Sequence, residues 1–359
     1  MRPPISALVL ALILAGAAAA AAPAVAKPVP NVFDHKDWIG VCDNTARCTA
    51  MALAPDEGDS RAYLAIVRDG DPAAAPTLKI AIYADSNIPS GPVHLHAPGF
   101  DADVPGRWAD GEIIAQSKDP ALIASLARLG ASEAKTLQLS IAKTSVPISL
   151  SGAAAALTWM DDRQGRLGSI TALTRKGPRL LSEMPPAPVL PVYVAAQKGS
   201  GVEVKPVVFP KSLLARPELK DCDKAQLADA DARAAWRLGP DLMLWSVPCT
   251  LGAYNLASVF LVSDGHGGAI RPAPIPALAT PDSGDPGANP PYMLINADFD
   301  PKTMILNAFE KARGLGDCGN LDRFLWDGRV FQPLEIDVMP ECRGVTPEAW
   351  PALYRGRAK

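Results

Sequence analysis

The chain has 359 residues, with 35 Lys and Arg against 38 Asp and Glu and a formal net charge of −3. No dense basic run occurs, which argues against nucleic acid as a partner. Proline at 36 and glycine at 28 favour many short elements joined by turns over a helical bundle.

The N-terminus has the form of a secretion signal. Arg2 supplies the positive region, Ile5–Ala20 the uncharged apolar run, and Ala24-Val25-Ala26 a small-x-small cleavage site. Cleavage near Ala26 is expected. The run is too short and alanine-rich for a membrane anchor, and no comparable run follows, so no membrane span is expected after cleavage. The compartment this implies is the periplasm.

Cys42, Cys48, Cys222, Cys249, Cys318 and Cys342 all lie beyond the signal. An even number of cysteines in an oxidising compartment favours disulfides over metal ligation. Six cysteines allow 15 connectivities, among which pairing of neighbours is preferred: Cys42–Cys48, Cys222–Cys249 and Cys318–Cys342. The absence of any C-x-x-C pair argues against a cysteine metal site, and neither metal nor cofactor is expected.

Along the chain, Cys42 to Cys48 encloses Asp, Asn and Thr, a turn that a bridge would pin. Alternation marks strands at Tyr63–Arg68, Thr77–Tyr83, Val93–Ala97 and Lys135–Lys143. Between them a helix begins at Asp119 as N-cap with Pro120 following, carries Leu122, Ile123, Leu126 and Leu129 as its stripe, and stops at Gly130. A second helix is predicted over Gly152–Met160, capped by Ser151 and stapled by Leu150. A charged turn and a strand, Gly168–Leu173, follow it. Proline and Gly199-Ser200-Gly201 then make residues 181–210 a semi-extended connector.

Beyond it, strands are predicted at Leu242–Val247, Ala257–Ser263, Met293–Ala297, Met304–Phe309 and Val330–Ile336. Turns fall at Asp298–Thr303 and at Trp326–Arg329, where Asp-Gly is a strong hairpin signal. The expected fold is mainly β with a few short helices (α+β), in two antiparallel β-rich domains. Residues 1–26 are the signal peptide, 31–180 an N-terminal β-rich domain closed by a helix, 181–210 a Pro-rich linker, and 211–359 a C-terminal antiparallel meander.

Asp161-Asp162-Arg163-Gln164-Gly165-Arg166 is the densest charge cluster. Paired carboxylates beside arginine can split their pKa values for acid–base work, and Asp161, Asp162, Arg163 and Arg166 are the candidate binding residues. A helix end neutralised by arginine explains the same residues without a site and is preferred. His94 and His96 alternate onto one strand face, but two imidazoles lack a third ligand nearby, with His35 or Asp101 the nearest suppliers, and a structural pair is preferred. Asn296, Asp298 and Asp300 alternate like calcium ligands, but Pro301 and Asn307 occupy the places where an EF-hand loop needs Gly and Glu. Gly314 to Asn320 forms a glycine-rich loop whose amides suit an anion, although a tight strand connection accounts for its glycines. Trp236, Trp245 and Trp326 suit either an aromatic surface or, as the default, core packing. No nucleophile elbow, P-loop, dinucleotide fingerprint or zincin motif occurs.

Trp38…Cys42-Asp43-Asn44…Cys48-Thr49-Ala50, Ala155 to Arg166, Leu244-Trp245…Cys249…Gly252-Ala253-Tyr254-Asn255 and Arg313 to Gly319 together resemble an exported proteobacterial family catalogued as domain of unknown function 1176. Ala312 stands where that pattern has glycine. Residues 31–160 also resemble invasion-associated locus B proteins, in the Trp-x-x-x-Cys opening and the Ser149-to-Leu157 stretch. The resemblances imply a small exported β-rich domain and an envelope role, with no catalytic residues to carry over. The expected function is a non-catalytic periplasmic binding or interaction protein engaging an envelope protein or a small ligand. The alternative is an envelope hydrolase using Asp161–Arg166.

Overall fold

The computed structural model describes residues 31–55, 61–84, 87–196, 202–277 and 289–359. The signal segment and the Gly199-Ser200-Gly201 bend lie outside these residues. The first ten strands are β1 (Val32–His35), β2 (Trp38–Cys42), β3 (Cys48–Leu53), β4 (Ala62–Arg68), β5 (Thr77–Tyr83), β6 (Gly91–Ala97), β7 (Phe100–Ala109), β8 (Glu112–Ser117), β9 (Thr136–Ile141) and β10 (Thr144–Ser149). They form one antiparallel sheet in the order β1-β2-β3-β4-β5-β8-β7-β6-β9-β10. Helices α1 (Pro120–Gly130) and α2 (Ala153–Arg163) close it.

Asp119 caps α1 as expected, its side chain accepting from the Ala121 N–H. The expected Ser151 cap on α2 is not made. Gly152 is the N-cap, at φ +101°, and no side chain caps the helix there. That backbone conformation suits glycine, and a Cβ on Gly152 would also sit 2.4 Å from the His35 carbonyl. The chain therefore turns into α2 on backbone shape, and α2 runs on through Arg163. Ala153, Ala156, Leu157 and Met160 bury against the sheet.

Strands β2 to β5 are buried on both faces. Leu64, Ile66, Leu78, Ile80 and Ile82 face the core beneath α1 and α2. Their alternates Ile39, Met51, Leu53, Tyr63, Ala65, Val67, Ala81 and Tyr83 face a second core. This double burial explains the near-continuous apolar run of β4, Ala62 to Val67. Gly168–Leu173, expected as a strand, is instead an irregular loop held by a single bridge between Ser169 and Arg179.

After the 3-10 turn Leu181–Glu183 come β11 (Val192–Tyr193), β12 (Val202–Glu203), the short helices α3 (Lys211–Leu214) and α4 (Lys224–Ala228), β13 (Ala234–Gly239), β14 (Leu242–Leu251), β15 (Leu256–Asp264), β16 (Arg271–Pro272) and β17 (Met293–Ile295). The remaining strands are β18 (Asp298–Asp300), β19 (Ile305–Lys311), β20 (Gly319–Trp326), β21 (Phe331–Met339), β22 (Ala352–Arg355) and β23 (Arg357–Ala358). Two antiparallel meanders result, β12 through β16 and β18 through β22, while β11 pairs in parallel with β23. Asp298–Asp300, placed in a turn from sequence, is a strand paired with β19. Trp236, Phe260, Phe299, Phe324, Trp326 and Phe331 fill the core between the meanders. The protein is thus mainly β, with four short α-helices among the described residues. None of them is long and apolar enough to cross a membrane.

The cysteines pair as neighbours: Cys42–Cys48, Cys222–Cys249 and Cys318–Cys342. Cys42 and Cys48 are directly opposed across the β2–β3 hairpin. Asp43 Oδ1 closes the turn by accepting from the Thr45 N–H and hydroxyl and from the Arg47 N–H.

Candidate functional site

Asp161 and Arg166 come together, and Asp162 and Arg163 turn away from them. Asp161 is fully buried in the last turn of α2. Its Oδ1 accepts from Arg68 Nη2 at 2.6 Å, and its Oδ2 accepts from the N–H groups of Leu173 and Thr174 and from the Thr174 hydroxyl. Arg68 also donates to Gln164 Oε1 and to the Thr171 carbonyl. Arg166, equally buried, donates to Gln164 Oε1, the Thr171 hydroxyl and the carbonyls of Asp71 and Pro72.

Burial lowers the pKa of both guanidinium groups, that of Arg166 to about 10 with Arg68 adding repulsion. Gln164 completes the group by donating to the carbonyls of Ala46, Arg68 and Asp69. Four pieces of chain are thereby tied together: the Cys42–Cys48 turn, the segment after β4, the end of α2 and the loop that follows. Both Asp161 oxygens are occupied, so this carboxylate has the geometry of a clamp rather than of a proton acceptor. Asp162 lies at the surface against Arg163, at 3.0 Å, and the Arg163 guanidinium stacks over Trp159.

A cavity of about 310 Å³ lies elsewhere, among Pro55, Arg61, Arg313, Asp317, Arg343 and Thr346. Its making can be traced through the chain. Residues 312–318 join β19 to β20, Gly319 and Asn320 of the predicted loop being the first residues of β20, and the Cys318–Cys342 bridge brings this connection beside the segment that leaves β21. Asp317, next to the bridge, accepts from Arg313 Nε and Nη2 at 2.8 and 2.6 Å and from the Gly344 N–H at 2.6 Å. Burial acts to raise the Asp317 carboxyl, but these hydrogen bonds outweigh it and hold the group below its ordinary value.

Arg343 reaches Asp37 and Glu341 at 3.5 Å each, and the Ala54 carbonyl. Gly344, at φ +77°, packs against the Arg61 side chain so closely that a Cβ there would come within 2.5 Å of it. The guanidinium groups of Arg61, Arg313 and Arg343 line the cavity together with the Asp317 carboxylate, with Asp317 pairing Arg313 and with Asp37 and Glu341 each 3.5 Å from Arg343. The glycine loop was visible in the sequence. Arg343 is marked only by following Cys342, and Arg61 by nothing in its neighbourhood.

The other sequence candidates fall apart from this cavity. His94 and His96 stand on the outer face of β6. Trp236 and Trp326 are buried between the meanders, and Trp245 packs with Phe209 in the core under α3. Asn296 spends its amide holding the Leu256 N–H, the Tyr254 and Phe309 carbonyls and the Asn255 side chain. Among the described residues no group of three or more His, Cys, Asp or Glu is placed to hold a metal.

The profile of the family described as "Protein of unknown function (DUF1176)" matches residues 32–357. Uncharacterized protein YpfG of Escherichia coli (strain K12) is 34% identical over 217 residues, which is 58% of this chain and 59% of that protein. The chain therefore aligns with about three fifths of the length of that relative. No solved structure matches.

Proposed function

This chain belongs to the DUF1176 family of proteins of unknown function, and we propose that it is an exported, non-catalytic binding protein of the cell envelope whose arginine-lined cleft takes a small anion. One observation carries the reading: Arg61, Arg313 and Arg343 converge on a single cavity of about 310 Å³, at the small end of the range typical of ligand pockets. Guanidinium groups in a fixed array favour carboxylates and phosphates, which they engage through paired N–H donors. Asp317 and the Cys318–Cys342 bridge hold two of the three arginines in advance of any ligand, which lowers the ordering cost of binding.

The envelope setting is supported by the three disulfides and by the signal-like N-terminus. Calorimetric titration with citrate and with inorganic phosphate tests the ligand class. Saturable binding of at least one is expected, weakening with added salt. Arg343→Ala should reduce the affinity about tenfold, the equivalent of one charge-assisted hydrogen bond. Absence of binding to both anions, or an Arg343→Ala affinity equal to that of the parent, would overturn the proposal.

A further inference from the structure

The outer face of the first sheet carries a second chemistry, separate from the cleft. In β6, Val93, Leu95 and Ala97 are buried and His94 and His96 point outward. The register with β7 sets His94 opposite Asp103 and His96 opposite Asp101. Each imidazole is bonded through Nδ1 to that carboxylate, at 2.5 Å for His94 and 2.6 Å for His96. On the other side β9 presents only Ser140 and Gln138, against His94 and His96 in turn. The two rings are 54% and 65% exposed, so an ion can reach them.

A carboxylate oxygen accepts the Nδ1–H, which in the neutral ring leaves the lone pair on Nε2, directed away from the partner strand. This carboxylate–histidine pairing is the arrangement that orients a ligating imidazole and raises its basicity. Here it occurs twice, on residues two apart along one strand, where the Cα atoms are separated by about 6.6 Å. Two side chains of imidazole length can close that gap around an ion bonded to nitrogen at about 2.0–2.1 Å.

We propose that His94 and His96 chelate one divalent transition-metal ion through their Nε2 atoms, with Asp103 and Asp101 as positioning residues and solvent completing the coordination. An all-imidazole ligand set suits copper, nickel and zinc over calcium or magnesium. The preference should run copper, then nickel, with zinc below copper, in the order common to such sites.

The test is titration of the tag-free protein with Cu²⁺, Ni²⁺ and Zn²⁺ against a chromophoric chelator at neutral pH. One ion per chain is expected. His94→Ala and His96→Ala should each weaken it by about a hundredfold or more, since either change converts a chelate into a single contact. Asp103→Asn should weaken it about tenfold or more through the orientation of His94. His35→Ala and Arg343→Ala should leave the affinity unaltered, the latter separating this site from the anion cleft. All these positions except Arg343 are exposed, so the fold should tolerate them. No saturable binding of the three ions would overturn the proposal. So would single-histidine variants that keep the parent affinity at full or half stoichiometry.

Discussion

Asp322 is a carboxyl whose surroundings conflict with its charge. It lies on β20 opposite Ala308 and Ile336, both members of the core between the meanders, and its Oδ1 is buried with no hydrogen-bond partner. Burial raises its pKa to about 7, and Glu310 pushes the same way. Unfolded, the group titrates near 3.9. The folded protein therefore holds the extra proton between these values, and stability falls as pH rises from about 4 to about 7. Asp322→Asn should flatten that slope and add about 1–3 kcal/mol at pH 8, with much less gain at pH 4. Urea melts at the two pH values check this, and an equal gain at both would refute it. Asp337, also raised to about 7 by burial with Glu335 adding to it, should keep part of the slope.

Asp161 is buried as deeply but has a cation and three donors around it. Asp161→Ala would leave Arg68 buried without its counter-charge, and a loss of about 3–5 kcal/mol is expected. Asp162→Asn at the surface should stay within about 0.5 kcal/mol. The same urea melts decide between them.

At the scale of elements, legibility followed how cleanly each segment's residues matched the period and composition of its element. Thr77–Tyr83 was readable to the residue because its alternation is clean, as was α1, whose Asp119, Pro120 and apolar stripe agree. Strand β7, Phe100–Ala109, was not readable: Asp101, Asp103, Pro105 and Arg107 are its exposed face and Gly106 interrupts it, so composition spells a turn where pairing with β6 and β8 makes a strand. Ser151 looked like a cap because a serine before an alanine run usually is one. What overrides it is the close approach of Gly152 to His35, a contact between residues far apart in sequence. The Asp161–Arg166 cluster was legible as dense charge, but not its division into a buried half and an exposed half. Arg68, whose guanidinium organises the buried half, lies 93 residues upstream of Asp161. The arginine cleft was less legible still, since its parts come from three separated segments that only the fold and one disulfide bring together.

At the scale of the whole molecule, one core joins the two halves of the chain. Ile39, Met51, Leu53, Tyr63, Val67 and Tyr83 form one wall of it, and Cys318, Met339, Val345 and Trp350 form the other. Tyr83 adds a polar tie, its hydroxyl accepting from the Thr346 N–H at 3.2 Å. Asn44 bonds to the backbone of Arg355 in both directions, and Asp43 accepts from the Arg355 side chain. The outer face of β2 to β5 is therefore apolar because the C-terminal meander covers it.

Sheets with one solvated face would place polar residues at those alternate positions, and here they are Ile, Met, Leu, Tyr and Val. Residues 31–180 made alone should expose this wall as a contiguous apolar patch large enough to drive association. The fragment is expected to bind a hydrophobic dye and to self-associate, whereas the full chain should unfold with a single calorimetric transition whose van't Hoff and calorimetric enthalpies agree. Two resolved transitions, or a monomeric fragment that leaves the dye unbound, would mean that the shared core contributes little to holding the halves together.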